Sequence, residues 1–176
     1  MSVCWRTGSY SGGLLNTMER NSDIITMACP ALWLRHTSAP AWNNAFINFD
    51  NCNWFTAPNY VVMKLYRDHF APNQISVAGD TGKINVIASR SADNKKVYMK
   101  IVNPFGKPLD VSVIIDKGFK VKSAGLKLIS PGNLKAMNTL KDPSAVSPKE
   151  QKVAVKRNVF KITMPRWSVG VITLND

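Results

Sequence analysis

The chain has 176 residues, 45% of them hydrophobic, and a formal net charge of +12. That is enough length and apolar content for a buried core in one or two compact units, and it argues against a disordered tail. No run approaches the roughly eighteen apolar residues of a membrane span, so a soluble chain with no membrane partner is expected. The opening "MSVCWRTGSYSGG" has neither signal-peptide nor transit-peptide grammar, and the compartment stays open.

The charge is uneven. Residues 1–79 hold five Lys/Arg against four acids, and the remainder holds eighteen against seven. Most of these cations are single lysines scattered through alternating segments such as "KVYMKIV" and "GFKVKSAGLKL", the pattern of a solvated sheet face. Nucleic-acid binding needs clustered charge with arginine or aromatic platforms between, so no nucleic-acid partner is expected. Cys4, Cys29 and Cys52 match no zinc or redox spacing and read as small buried thiols.

Leu14, Leu15, Met18, Ile24, Ile25 and Met27 recur at helical offsets, which predicts a helix ending before Pro30, with Arg20-Asn21-Ser22-Asp23 as a break or kink inside it. "NAFINF" follows as a short buried strand. Thr56 is placed to cap a second helix with Pro58 in its first turn and Val62, Leu65, Tyr66 and His69 facing inward, His69 meeting the terminal carbonyls. Helix, strand, helix is parallel α/β grammar, yet the single predicted strand has no parallel partner.

Beyond Pro72-Asn73 the period changes to two. "QISVA", "INVIASR", "KVYMKIV", "LDVSVIID", "GLKLIS", "VFKITM" and "SVGVITL" predict seven short strands of an antiparallel sandwich. The long connection over residues 130–151 is expected to cross between its sheets.

Four stretches, "MERNSDIITMACPAL", "INFDNCNWFTAPNYVVMKLY", "NLKAMNTLKDPSAVSP" and "MPRWSVGVITL", taken in this order, resemble the C-terminal portion of the family 51 glycoside hydrolases, the α-L-arabinofuranosidases. The resemblance implies an α+β chain: the end of an incomplete (β/α)8 barrel over residues 1–72, then a jelly-roll-like antiparallel β-sandwich over 73–176. On that mapping the chain starts after the seventh barrel strand and supplies the seventh helix, the eighth strand and the eighth helix. The implied substrates are arabinofuranosyl side chains of arabinan or arabinoxylan, with no cofactor and no metal.

Retaining glycoside hydrolysis uses two carboxyl groups about 5–5.5 Å apart. The resemblance places both glutamates on barrel strands upstream of Met1, so no catalytic residue is assigned here and the chain alone is expected to be inactive. Glu19 reads as a structural ion-pair or cap partner of Arg20 or nearby backbone. The loop after the eighth strand is where this chain should approach a sugar, because barrel sites lie just past the strand C-termini. Asp50, Asn51 and Asn53 are the candidate hydroxyl contacts and Trp54 the candidate apolar face; a capped turn leading to Pro58 explains the same residues. The family often carries glutamine where Asn53 stands.

Of the five tryptophans, Trp167 is expected to close the sandwich or pack on the helices. A non-catalytic carbohydrate-binding sandwich is the second reading. Absent barrel partners, the apolar faces in residues 1–70 favour oligomerisation or aggregation and weaker order than in the sandwich.

Overall fold

A computed structural model describes residues 4–40, 45–116 and 118–176. Helix α1 (Trp5–Arg20) and helix α2 (Pro58–Asp68) form a layer with three short strands, β1 (Leu34–His36), β2 (Ile47–Phe49) and β3 (Trp54–Thr56). The remaining strands are β4 (Asn73–Ile75), β5 (Asn85–Arg90), β6 (Lys96–Asn103), β7 (Leu109–Ile114), β8 (Ser123–Ile129), β9 (Lys149–Lys152), β10 (Val159–Met164) and β11 (Ser168–Asn175). They build a six-stranded antiparallel sheet, β4-β5-β6-β11-β8-β9, facing a two-stranded sheet, β10-β7. All seven strands expected from the period-two pattern are present. β9, with the sequence KEQK and all four residues exposed, carries no apolar alternation to reveal it.

The core between the sheets joins Met99, Ile101, Leu126, Ile172 and Leu174 to Phe160 and Met164, with Val111 and Val113 of β7 packed against them. A second core lies on the other face of the large sheet, where Trp5, Val62, Leu65 and Tyr66 of the helices meet Val102, Ile129, Val169 and Val171. Strands β6 and β11 therefore bury both faces, so the alternation read in their sequences does not mark a solvated face.

α1 does not use its leucines as its seam. The buried stripe is Trp5, Gly8, Gly12 and Asn16, while Leu14 is exposed and Leu15 and Met18 only half-buried. Spacings of three and four put these four on one face, and the two glycines let the backbone come close. A Cβ on Gly8 would stand 3.1 Å from the carbonyl carbon of Pro58, and one on Gly12 would stand 3.1 Å from Val169. The helix breaks where Arg20-Asn21-Ser22-Asp23 was expected to interrupt it, and it does not resume toward Pro30: it ends at Arg20, with Asn21 as its cap. Its side-chain amide donates to Thr17 O at 2.8 Å and its N–H to the carbonyls of Thr17 and Met18. Ile24, Ile25 and Met27 lie beyond it and are exposed.

Three other expectations are corrected. Leu34–His36 pairs in parallel with Ile47–Phe49, so the strand has the partner that "LRH" was too short to announce. Thr56 ends β3 and the N-cap is Ala57, which has no side-chain acceptor; Pro58 in the first turn removes one of the N–H groups that would be left without an intrahelical partner. The connection over residues 130–151 does not cross between sheets but returns to the same edge, pairing β9 with β8. It works as a strap over the helices: Trp5 N–H donates to Ala136 O at 2.7 Å, Arg6 N–H to Leu134 O at 2.9 Å, and the buried Asn138 amide to Thr56 O at 3.0 Å.

The inward set of α2 matches the structure, with Val62, Leu65, Tyr66 and His69 all buried. Cys29 and Cys52 are exposed and Cys4 half-buried, against the expectation of buried thiols; all three are free. Trp167 is half-buried against the core shared with the helices, and its carbonyl accepts the indole N–H of Trp5. Trp42 and Asn44, both read in the sequence, lie outside the described residues. No helix among the described residues is long and apolar enough to cross a membrane.

Candidate functional site

Parallel β1 and β2 end at the same side of the small sheet, at His36 and Phe49, and the candidate loop leaves from there. Phe49 pairs with Trp54, so residues 50–53 are the turn of a β2–β3 hairpin. Asp50 builds that turn. Its Oδ1 accepts the N–H groups of Cys52 at 2.8 Å and Asn53 at 2.7 Å, and its own N–H donates to Asn53 O at 2.9 Å. These backbone donors hold the Asp50 carboxyl below its ordinary value. The capped-turn explanation thus accounts for Asp50.

Asn51, Asn53 and Trp54 are left on the surface, Trp54 with 63% of its area exposed. The Asn51 side-chain oxygen lies 3.3 Å from His36 Nε2, and His36 Nδ1 lies 2.7 Å from Ser38 Oγ. His36 also meets the Phe49 ring edge-on, centroids 5.4 Å apart. Register puts His36, Phe49 and Trp54 in one row across three strands and therefore on one face. Sequence inspection found Asn51 and Trp54 but missed His36 and Ser38, because recognising β1 is what brings them here.

Glu19 is nowhere near this turn. Its two carboxylate oxygens lie 2.5 and 2.7 Å from Lys100 Nζ, an ammonium on β6 whose side chain is 2% exposed. Its partner is thus Lys100 and not Arg20, which instead donates to Asn85 Oδ1 and Val86 O. Lys100 also departs from the solvated sheet face expected of the lysines. Burial pulls its ammonium below the ordinary value, with the bond to Glu19 opposing that shift. The Tyr66 ring lies 4.9 Å beneath Nζ, and burial, helped by the Glu19 charge, pushes its phenol well up.

Elsewhere, a cleft of about 790 Å³ opens between the sheets, lined by aliphatic side chains such as Ile75, Val86, Met99, Val111 and Val113 together with the charged Asp80, Lys83, Arg90, Asp110 and Asp116. Among the described residues no three His, Cys, Asp or Glu side chains gather as a metal site would require.

Fold and sequence pattern together define a sandwich-type C-terminal domain of the glycoside hydrolases. The chain belongs to the α-L-arabinofuranosidase C-terminal domain family, which it matches over residues 3–168. It is 28% identical over 160 residues to a probable α-L-arabinofuranosidase A of Aspergillus terreus, covering 90% of this chain and 25% of that protein. Among solved structures, an arabinose-bound family 51 α-L-arabinofuranosidase, MgGH51, superposes with a TM-score of 0.86 at 21% identity, over 98% of this chain and 28% of the other. The arabinose complex of the Thermotoga maritima α-L-arabinofuranosidase gives 0.83 at 18% identity, over 98% and 39%. The chain spans about a quarter of the length of the curated relatives it matches.

Proposed function

We propose that this chain is the C-terminal portion of a retaining α-L-arabinofuranosidase that removes arabinofuranosyl side chains from arabinan or arabinoxylan. In this reading residues 1–72 close one side of a (β/α)8 catalytic barrel and residues 73–176 form the sandwich beyond it. The turn of residues 50–53 with Trp54 contributes to the sugar-facing wall, and the 176 residues alone do not hydrolyse.

The observation that carries the proposal is the family match together with the fate of Glu19. A retaining enzyme needs two facing carboxyl groups. Glu19 is committed to Lys100, and Asp50 to the N–H groups of its own turn. The parallel β1–β2 pair, with α2 following, supports the barrel assignment, as does the placement of the candidate turn past the strand C-termini. An independent sugar-binding sandwich is the weaker reading. Among the described residues the exposed large aromatics, Tyr10, Trp33, Trp54 and Phe70, all precede β4.

The test is release of p-nitrophenol from the aryl α-L-arabinofuranoside by the isolated chain. No turnover is expected above the uncatalysed rate. Measurable turnover by the isolated chain would overturn the proposal.

A further inference from the structure

We propose that His36 is a positioning residue: it locks the Asn51 amide with its NH2 outward, so that Asn51 donates to a hydroxyl oxygen of a neutral sugar ring lying on the Trp54 face. This rests on the sugar-facing reading of the turn above and names the group that orients it.

The assignment follows from who can donate to whom. His36 Nδ1 lies 3.3 Å from the backbone N of Ser38 as well as 2.7 Å from Ser38 Oγ. A backbone N–H can only donate, so Nδ1 is the bare acceptor, and the neutral ring carries its proton on Nε2. Nε2 faces Asn51 at 3.3 Å and must find an acceptor there. The Asn51 oxygen therefore points inward and its NH2 points away. This network decides which way the amide is turned.

The imidazole is itself held on three sides, by Ser38, by Asn51 and by the Phe49 ring at 5.4 Å. Asn51 is exposed, and no partner among the described residues takes its NH2 hydrogens. Trp54 follows in the same cross-strand row, its face largely open. Asn51 belongs to the turn from which Trp54 leaves, and an oriented donor and an open aromatic face on one turn match a sugar, which has a C–H face edged by hydroxyl oxygens. A donor fixed before the ligand arrives avoids the entropy of ordering it on binding.

The experiment is nitrogen-15 NMR on the 176-residue chain. In the free protein the neutral His36 ring is expected as the Nε2–H tautomer; finding the Nδ1–H tautomer would overturn the proposal. On titration with methyl α-L-arabinofuranoside, the Trp54 indole and the Asn51 side-chain NH2 signals are expected to shift together. His36→Ala should leave the Trp54 response, erase the Asn51 shift and weaken binding about 3- to 10-fold, the worth of one hydrogen bond. His36→Gln, whose amide can still donate to the Asn51 oxygen, should restore most of it. A Trp54 shift without Asn51 overturns the role of His36 and leaves the sugar-facing turn standing. If neither signal moves, the sugar-facing reading fails and the inference with it.

Discussion

The carboxylate of Glu19, near the end of α1, closes on the ammonium of Lys100 in the middle of β6, eighty-one residues away, with both oxygens within 2.7 Å of Nζ. This pair ties the helical layer to the sandwich. Lys100 is almost wholly buried while the Glu19 side chain keeps 32% of its surface, so the pair is wet on one side only. Asn16, one turn before Glu19, adds a weak bond to Lys100 O at 3.4 Å.

Removing one partner should cost more than removing both. Glu19→Gln leaves a buried ammonium without its counter-charge and is expected to destabilise by about 2–4 kcal/mol, somewhat below the full range for a buried pair because Glu19 is partly solvated. Glu19→Gln with Lys100→Met should recover most of the loss. A double-mutant cycle in urea measures the coupling; additive losses would mean that the pair contributes nothing beyond its separate parts.

Two glycines of α1 should respond in opposite directions. Gly13 is helical, and a Cβ there meets nothing nearer than 3.6 Å, so Gly13→Ala is expected to stabilise by about 0.5–1 kcal/mol through helix propensity. At Gly8 a Cβ would come within 2.9 Å of the Trp5 ring and 3.1 Å of the Pro58 backbone. Gly8→Ala should destabilise by about 1–3 kcal/mol despite the same propensity gain. Thermal melts of the two variants side by side decide it.

Stability should fall on mild acidification through His69. Its Nδ1 lies 2.7 Å from Leu65 O, its ring packs edge-on against Tyr98, and burial sets its folded pKa below the ordinary 6.5. Asp68 opposes that shift, while Lys127 and Lys100 add to it. Below 6.5 the unfolded chain therefore binds more protons than the folded one, and unfolding free energy rises with pH. The contribution is intact above about pH 6.5 and is lost as pH drops through and below that value. His69→Gln, which can still donate to Leu65 O, should flatten the slope of urea midpoints between pH 7.5 and 5.

Hydrogen exchange should separate the two parts of the molecule. β6, β8 and β11 pair on both sides and bury their side chains, whereas Ile24, Met27, Trp33, Leu34 and Trp54 are exposed around three-residue strands. Amides in residues 21–40 and 45–56 are expected to exchange much faster than those of the three central strands. Uniform protection along the chain would contradict this.

Much of the fold is legible locally. Period-two alternation marks β7, with Leu109, Val111 and Val113 inward and Asp110, Ser112 and Ile114 outward, and the inward face of α2 is readable from Val62, Leu65, Tyr66 and His69 alone. The family match over residues 3–168 spans the first three of the stretches that carry the resemblance and the start of the fourth. α1 was harder, since its buried stripe is made of glycines and an asparagine, residues that hydrophobic periodicity cannot weigh. The candidate turn was visible, but its orienting imidazole was not, because His36 enters only once a three-residue strand pairs in parallel with β2.

What the sequence determined by itself is therefore what repeats within a few residues: strand period and the inward face of one helix. The tertiary structure alone decided which distant groups meet, namely Glu19 with Lys100, Asn138 with Thr56 and His36 with Asn51, and that residues 130–151 return to their own sheet. The physical reason is that burial leaves a local signature in residue type, whereas the partner of a charge or an amide is chosen by the packing of layers, and no spacing along the chain records it.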